Sequence, residues 1–208
     1  MTRVIAGTAG GRRLAVPPGG GTRPTSDRAR EGLFSTWAAL WGPLSGARVL
    51  DLFSGSGAVG LEALSRGAAH ALLAESDARA ARTIRENIRA LGLPGAELRP
   101  VRAEQLAASP PEGGAYDLAF LDPPYAFGDD AVGEILLTLR RQGWLAGDAV
   151  VTVERSTRAG EFRWPAGFTG LRARRYGEGT LWHGGPAADP AADPEPGPTA
   201  GHPRSDRS

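Results

Sequence analysis

Val49 to Leu64 reads VLDLFSGSGAVGLEAL: a short apolar run, a loop with glycines at 55, 57 and 60, and then an Ala/Leu-rich segment of helical character. The loop matches G-x-G-x-x-G, a weak signal by itself. Its context strengthens it, because a strand before and a helix after let backbone approach a nucleotide-type ligand that a Cβ would push away.

The same alternation continues outward. Apolar runs at 48–53, 71–74, 98–101, 118–121 and 149–153 are separated by helical patterns at 58–66, 78–91 and 131–140. Strand, helix, strand predicts an α/β fold, a mostly parallel sheet with helices on both faces and ligands gathered at the carboxyl ends of its strands. Upstream, residues 3–16 (RVIAGTAGGRRLAV) predict a β-hairpin around a glycine-rich turn. Ser26 or Asp27 then caps a helix with Leu33, Trp37, Leu40 and Trp41 on one face, a pattern of core packing.

The acids of this frame choose among cofactors. Asp51 ends the first sheet strand beside the loop, where the pyrophosphate of a dinucleotide would meet an unpaired carboxylate. S-adenosylmethionine has no phosphate and offers a sulfonium and an ammonium that a carboxylate attracts. Glu75 ends the next strand in LLAES, placed for the two ribose hydroxyls of either ligand. Glu104, in VRAEQL, reads as an acceptor for an adenine amine or as a plain helix cap.

Asp122-Pro123-Pro124-Tyr125 ends the strand that finishes FLDPPY, on the same edge. An exocyclic nucleobase amine is a poor nucleophile, since its lone pair is delocalised into the ring. Asp122 and the Pro123 carbonyl can each accept one N–H and aim that lone pair, provided both are fixed beforehand. The prolines stiffen the turn. Tyr125 offers a ring for an unstacked base, with Pro124 beside it.

Composition narrows the rest. The chain has 208 residues, 41% of them hydrophobic, enough for one α/β domain with trimmings. It contains no cysteine, which excludes disulfides, thiolate metal sites and cytosine-C5 methylation, which needs a sulfur nucleophile. His70, His183 and His202 are too scattered to suggest a metal centre. With no membrane-length apolar run and no signal-peptide core, the expected location is the cytoplasm. All 24 basic residues are arginine, so a single arginine means little. Residues 1–45, however, hold six arginines against Asp27 and Glu31, a net +4 that suits either a nucleic-acid-facing surface or a solvated basic face.

In combination, RVIAGTAGGRRLAVP (3–17), TRPTSDRAREGLF (22–34), VLDLFSGSGAVGLEALSRGA (49–68), FLDPPY (120–125) and YGEGTLW (176–182) resemble the RsmD family of 16S rRNA guanine-N2 methyltransferases, of the class I, Rossmann-like type. The resemblance covers residues 3 to about 183. It implies a seven-stranded sheet ending in an antiparallel pair, a small N-terminal extension that helps bind RNA, adenosylmethionine as donor, and 16S rRNA or the assembling small subunit as partner. Separately, no metal and a monomeric protein are expected. Asp51, Ser54, Gly55 and Gly57 carry over as the cofactor loop, Glu75 to the ribose and Glu104 to the adenine. Asp122, Pro123 and Tyr125 carry over as the catalytic group, and Arg23, Arg28, Pro124 and Tyr125 as substrate contacts. Relatives often have Asp where this chain has Glu104.

The expected organisation is an RNA-facing extension at 1–45, a methyltransferase domain at 46–183 and a disordered tail at 184–208, which offers no aliphatic side chain larger than Ala. Three rivals remain: an adenine-N6 methyltransferase, which shares the glycine loop and a [DN]PPY motif; a non-catalytic RNA-binding assembly factor; and an NAD-dependent oxidoreductase. Protein-glutamine methyltransferases use an Asn-led version, and Asp122 argues against them.

Overall fold

A computed structural model describes residues 2–17, 26–124 and 126–188. The N-terminal strands β1 (Thr2–Arg3) and β2 (Arg13–Leu14) pair antiparallel, as the hairpin pattern predicts. Helix α1 (Asp27–Leu40) follows, with the Ser26 side chain accepting from Ala29 N. Its Leu33 and Trp37 are fully buried, in agreement with core packing.

The main sheet begins with β3 (Arg48–Leu52), α2 (Ala58–Ser65), β4 (His70–Ala74), α3 (Ala78–Leu91), β5 (Ala96–Arg99), α4 (Ala103–Ala107) and β6 (Tyr116–Leu121). It ends with α5 (Asp129–Arg141), β7 (Leu145–Ser156), β8 (Phe168–Tyr176) and β9 (Gly179–Pro186). The strand order is β5-β4-β3-β6-β7-β9-β8, with β3 to β7 parallel and β9 antiparallel to both neighbours. This is the seven-stranded, Rossmann-like architecture expected.

Alternation along the parallel strands divides the core in two. Val49, Leu73, Leu118 and Phe120 join α1, α2 and α3 on one face. Leu50, Leu52, Leu72, Leu121 and Val153 join α4 and α5 on the other. Helix α2 is buried throughout, which explains its apolar sequence. Helix α3 starts where Asp77 accepts from Arg79 N and Ala80 N and stops at Gly92, whose φ of 63° is left-handed.

Several boundaries differ from the sequence reading, among them β7, which spans Leu145–Ser156 against an expected 149–153. The third sheet strand lies at Ala96–Arg99 rather than 98–101, because Pro100 has no N–H for the ladder. Helix α5 begins at Asp129, two residues before the expected 131, where two acids complement the helix dipole. The sheet also continues to Pro186, beyond the residue-183 edge, because Gly184–Pro186 complete the pairing with Phe168–Gly170. Arg23, Tyr125 and the tail from residue 189 lie outside the described residues.

Candidate active site

Parallel pairing brings the predicted acids to one edge. Leu52 pairs with Ala74 and with Leu121, so Glu75 and Asp122 each stand one residue past a strand adjoining β3. Asp122 N donates to Leu52 O at 3.5 Å, and Glu75 N donates to Arg99 O at 3.1 Å. Backbone contacts with the last residues of β3 and β5 thus hold both acids at the edge.

The glycine loop turns on positive φ at Phe53 (60°), Gly55 (57°) and Gly57 (76°). Phe53 is the one non-glycine residue with positive φ among the described residues, a conformation that costs energy in a residue with a Cβ. Its ring packs against Phe127 at 5.4 Å, tying the glycine loop to the turn after Asp122. Gly57 caps α2 without a side chain of its own, and Asp51 accepts from the third N–H of the helix, that of Gly60. A Cβ at Gly57 would lie 2.8 Å from Leu73 Cδ2, and one at Gly60 would lie 3.0 Å from Leu73 Cγ, so α2 packs closely on β4 at both glycines.

Asp51 is 1% exposed and its Oδ2 accepts from Gly60 N at 3.0 Å. Burial pushes its carboxyl up to about 7, against the lowering effect of the Gly60 N–H and with a smaller upward push from Glu75. In the sequence, Asp51 reads as a fixed anion. The fold makes it an acid near its midpoint at neutral pH, one that a neighbouring cation would ionise.

Ser54 is turned inward. Its hydroxyl faces Asp51 O at 2.6 Å and Ala74 O at 3.1 Å, so it shapes the loop from behind. Glu75 clamps the loop as well: Oε2 accepts from Gly55 N and Oε1 from Asp77 N, both at 2.8 Å. Each carboxylate oxygen retains a further acceptor site for a hydroxyl. Glu104 is exposed in the first turn of α4, where an acid also complements the helix dipole.

Asp122 is partly buried, Pro123 buried and Pro124 exposed. The turn beyond them is fixed where Phe127 N donates to Pro124 O at 2.8 Å. Arg155, on β7, donates to Phe127 O at 2.7 Å and pairs with Asp129 at 2.7 Å. Preorganisation of the Asp122 loop therefore depends on Phe53 and Arg155, neither of which carries a motif signal.

Asn87 was also silent in the sequence. It is 2% exposed on α3, and its amide donates to Ser56 O at 2.9 Å and Ala15 O at 3.0 Å while accepting from Ala15 N at 2.8 Å. One side chain thus joins the exit of the N-terminal hairpin to the glycine loop.

Part of the basic N-terminus is engaged within the fold. Arg30 is fully buried and pairs with Glu62 at 2.8 Å, while Arg66 holds the other Glu62 oxygen at 2.6 Å. Arg12 donates to the α3 carbonyls of Ala90 and Leu91, and Arg3 lies 3.7 Å from Asp27. Arg13 and Arg28 remain exposed. Outward positive charge on this segment is smaller than its composition suggests.

The chain matches the family described as conserved hypothetical protein 95 over residues 2–184. It is 37% identical over 176 residues to ribosomal RNA small subunit methyltransferase D of Escherichia coli (strain K12), covering 85% of each chain. It is 34% identical over 154 residues to the protein of the same name from Haemophilus influenzae, covering 73% of this chain and 77% of that one. The solved structure of yhhF from Escherichia coli superposes with a TM-score of 0.78 at 35% identity, covering 90% of this chain and 99% of that one. The chain belongs to this family, the RsmD family of methyltransferases.

Proposed function

We propose that the protein transfers a methyl group from S-adenosylmethionine to the exocyclic N2 amine of a guanine in small-subunit ribosomal RNA. The observation that carries this reading is the convergence of Asp51, Glu75 and Asp122 on one sheet edge, around a glycine loop cross-braced to the Asp122 turn by Phe53 and Phe127. The names of the curated relatives supply the substrate class.

The residues fit the cofactor. Gly55 leaves open space where a Cβ would stand, and the buried Asp51 carboxyl gains a cation's company at the cost of a proton. In that arrangement Asp51 attracts the ammonium and sulfonium end, Glu75 accepts from the ribose hydroxyls while holding Gly55, and Glu104 stands by the adenine. The bound cofactor supplies an electrophilic methyl on a sulfonium. Asp122 and the Pro123 carbonyl accept the two N–H bonds of the guanine amine and turn its lone pair outward. Asp122 also stabilises the positive charge that grows on the nitrogen and stands ready to receive its proton. Tyr125 is assigned the base-stacking role, and Pro124, Arg23 and Arg28 contacts with the RNA.

Labelled adenosylmethionine, offered with unmodified small subunits, naked 16S rRNA and duplex DNA, tests the reading. The expected product, after nuclease digestion and mass spectrometry, is N2-methylguanosine from the ribosomal substrates alone. N6-methyladenine, or transfer to duplex DNA, would overturn it.

A further inference from the structure

One concentration of outward positive charge lies at the far edge of the sheet, away from the N-terminal hairpin. Residues 156–188 hold Arg158, Arg163, Arg172, Arg174 and Arg175 against Glu161 and Glu178, a net +3. Three of these arginines crowd onto β8, an edge strand whose residues from Thr169 to Arg175 are all exposed. Arg172, Arg174 and Arg175 form no ion pair with any described acidic residue.

Register places this strand relative to the site. Leu121 pairs with Val153, Val153 with Trp182, and Trp182 with Ala173. One step on, the row runs from Asp122 past Glu154 and Leu181 to Arg174. Arg174 is therefore level with Asp122 and three strands away, about 14 Å at the usual interstrand spacing. That is the span of a few nucleotides of an RNA strand.

The facing is also settled. Arg172 pairs with His183, whose ring lies 2.9 Å from the Thr152 hydroxyl, which in turn accepts from Trp37 of α1 at 2.9 Å. Arg172 and Arg174, two residues apart, thus share the α1 side of the sheet. Tyr176, two further on, packs so closely against α1 that a Cβ at Gly32 would lie 1.9 Å from its hydroxyl. Arg28 precedes Gly32 by one helical turn and is exposed, so it stands at the same end of this surface.

We propose that the α1 side of β8, with Arg172 and Arg174 continued by Arg28, is a phosphate track that grips the RNA strand a few nucleotides from the target base. The proposal rests on the reading of RNA as substrate and adds where the strand runs. The arginine fork suits phosphate, and a row level with Asp122 holds the strand in register with the transfer site. The competing role for such arginines is to keep an exposed strand edge from pairing with a second copy of the chain.

The test compares wild type with Arg172→Ala/Arg174→Ala and with a charge-matched Arg85→Ala/Arg89→Ala control on the exposed side of α3. Binding to a 16S rRNA fragment is followed by fluorescence polarisation across a salt series, adenosylmethionine binding by calorimetry, and association state by sedimentation. The β8 variant is expected to lose about one unit of salt slope per arginine and at least about tenfold in RNA affinity at low salt, with cofactor affinity unchanged. The control should keep the wild-type slope. Equal RNA binding by wild type and the β8 variant would overturn the track, as would the same loss in the control, which would reduce the effect to net charge. Self-association of the β8 variant with intact RNA binding would assign the arginines to edge protection. Failure of wild type to bind rRNA at all would strike the functional reading itself, a result distinct from failure of the surface.

Discussion

Replacement of Asp51 by asparagine preserves the shape of the side chain and an oxygen that can accept from Gly60 N, and it removes the charge. With the ligand-free carboxyl at about 7, the ionised fraction is roughly a tenth at pH 6 and nine-tenths at pH 8. If the cofactor binds the anion, wild-type affinity for adenosylmethionine should rise about tenfold across that interval, and binding at pH 6 should release close to one proton. Asp51→Asn should bind more weakly at pH 8 and lose this dependence, so the wild-type to variant ratio cancels the ligand's own ionisation. Stability moves the other way. The folded state holds the Asp51 proton more tightly than the unfolded chain does, so this contribution is present below the unfolded value of 3.8 and is lost as the pH rises to about 7. Above pH 7 the burial penalty stands in full, of order 4 kcal/mol, and the ligand-free Asp51→Asn protein should melt higher than wild type at pH 8. Calorimetry at pH 6, 7 and 8 in buffers of different ionisation enthalpy measures affinity and proton release together. A wild-type to variant affinity ratio that stays constant over that range would refute the assignment of Asp51 to the cationic end of the cofactor.

Asp122→Ala should cut turnover on small-subunit RNA by at least ~10² while changing cofactor affinity much less, because a positioned acceptor acts on the rate; full activity would reduce the motif to a turn. Asn87→Ala should weaken adenosylmethionine binding by about fivefold or more, through loss of the hydrogen bond that holds Ser56. An unchanged dissociation constant there would confine Asn87 to the fold. Glu62→Gln should cost about 3 kcal/mol in urea denaturation, since it removes the buried counter-charge of the Arg30 guanidinium and leaves it only the half-exposed Asp27; a loss below about 1 kcal/mol would show that Asp27 and water suffice. Burial, reinforced by Arg172 and Arg174, lowers the His183 pKa to about 4, so its stabilising contribution is present above the unfolded value of 6.5 and is lost as the pH falls. Between pH 7 and 5 this loss of about 2 kcal/mol opposes the Asp51 effect, so it should emerge as a falling melting temperature in the Asp51→Asn background. A flat profile there would count against a neutral, buried His183.

Features encoded within one element and its neighbour are legible in the residues themselves. Residues 49–64 announced strand, glycine turn and helix, because close packing at Gly57 and Gly60 and the apolarity of a wholly buried helix are local demands. Asp51, Glu75 and Asp122 were legible as ligand-facing acids, since a parallel sheet sends every strand's carboxyl end to one edge. What those groups experience depends on contacts made only in the folded chain. Burial, chiefly, turns Asp51 from a fixed anion into an acid near neutrality, and buried contact with Glu62 withdraws Arg30 from the basic surface that composition suggests. Phe53, Asn87 and Arg155 escaped notice because their partners Phe127, Ser56, Ala15 and Asp129 are brought to them by chain reversal and strand pairing. Arg172 and Arg174 were two arginines among 24 in the text of the sequence. They acquire meaning through the register of β8 on β9 on β7, which sets them on the row of Asp122, and strand pairing across three segments is a property that no window of sequence contains.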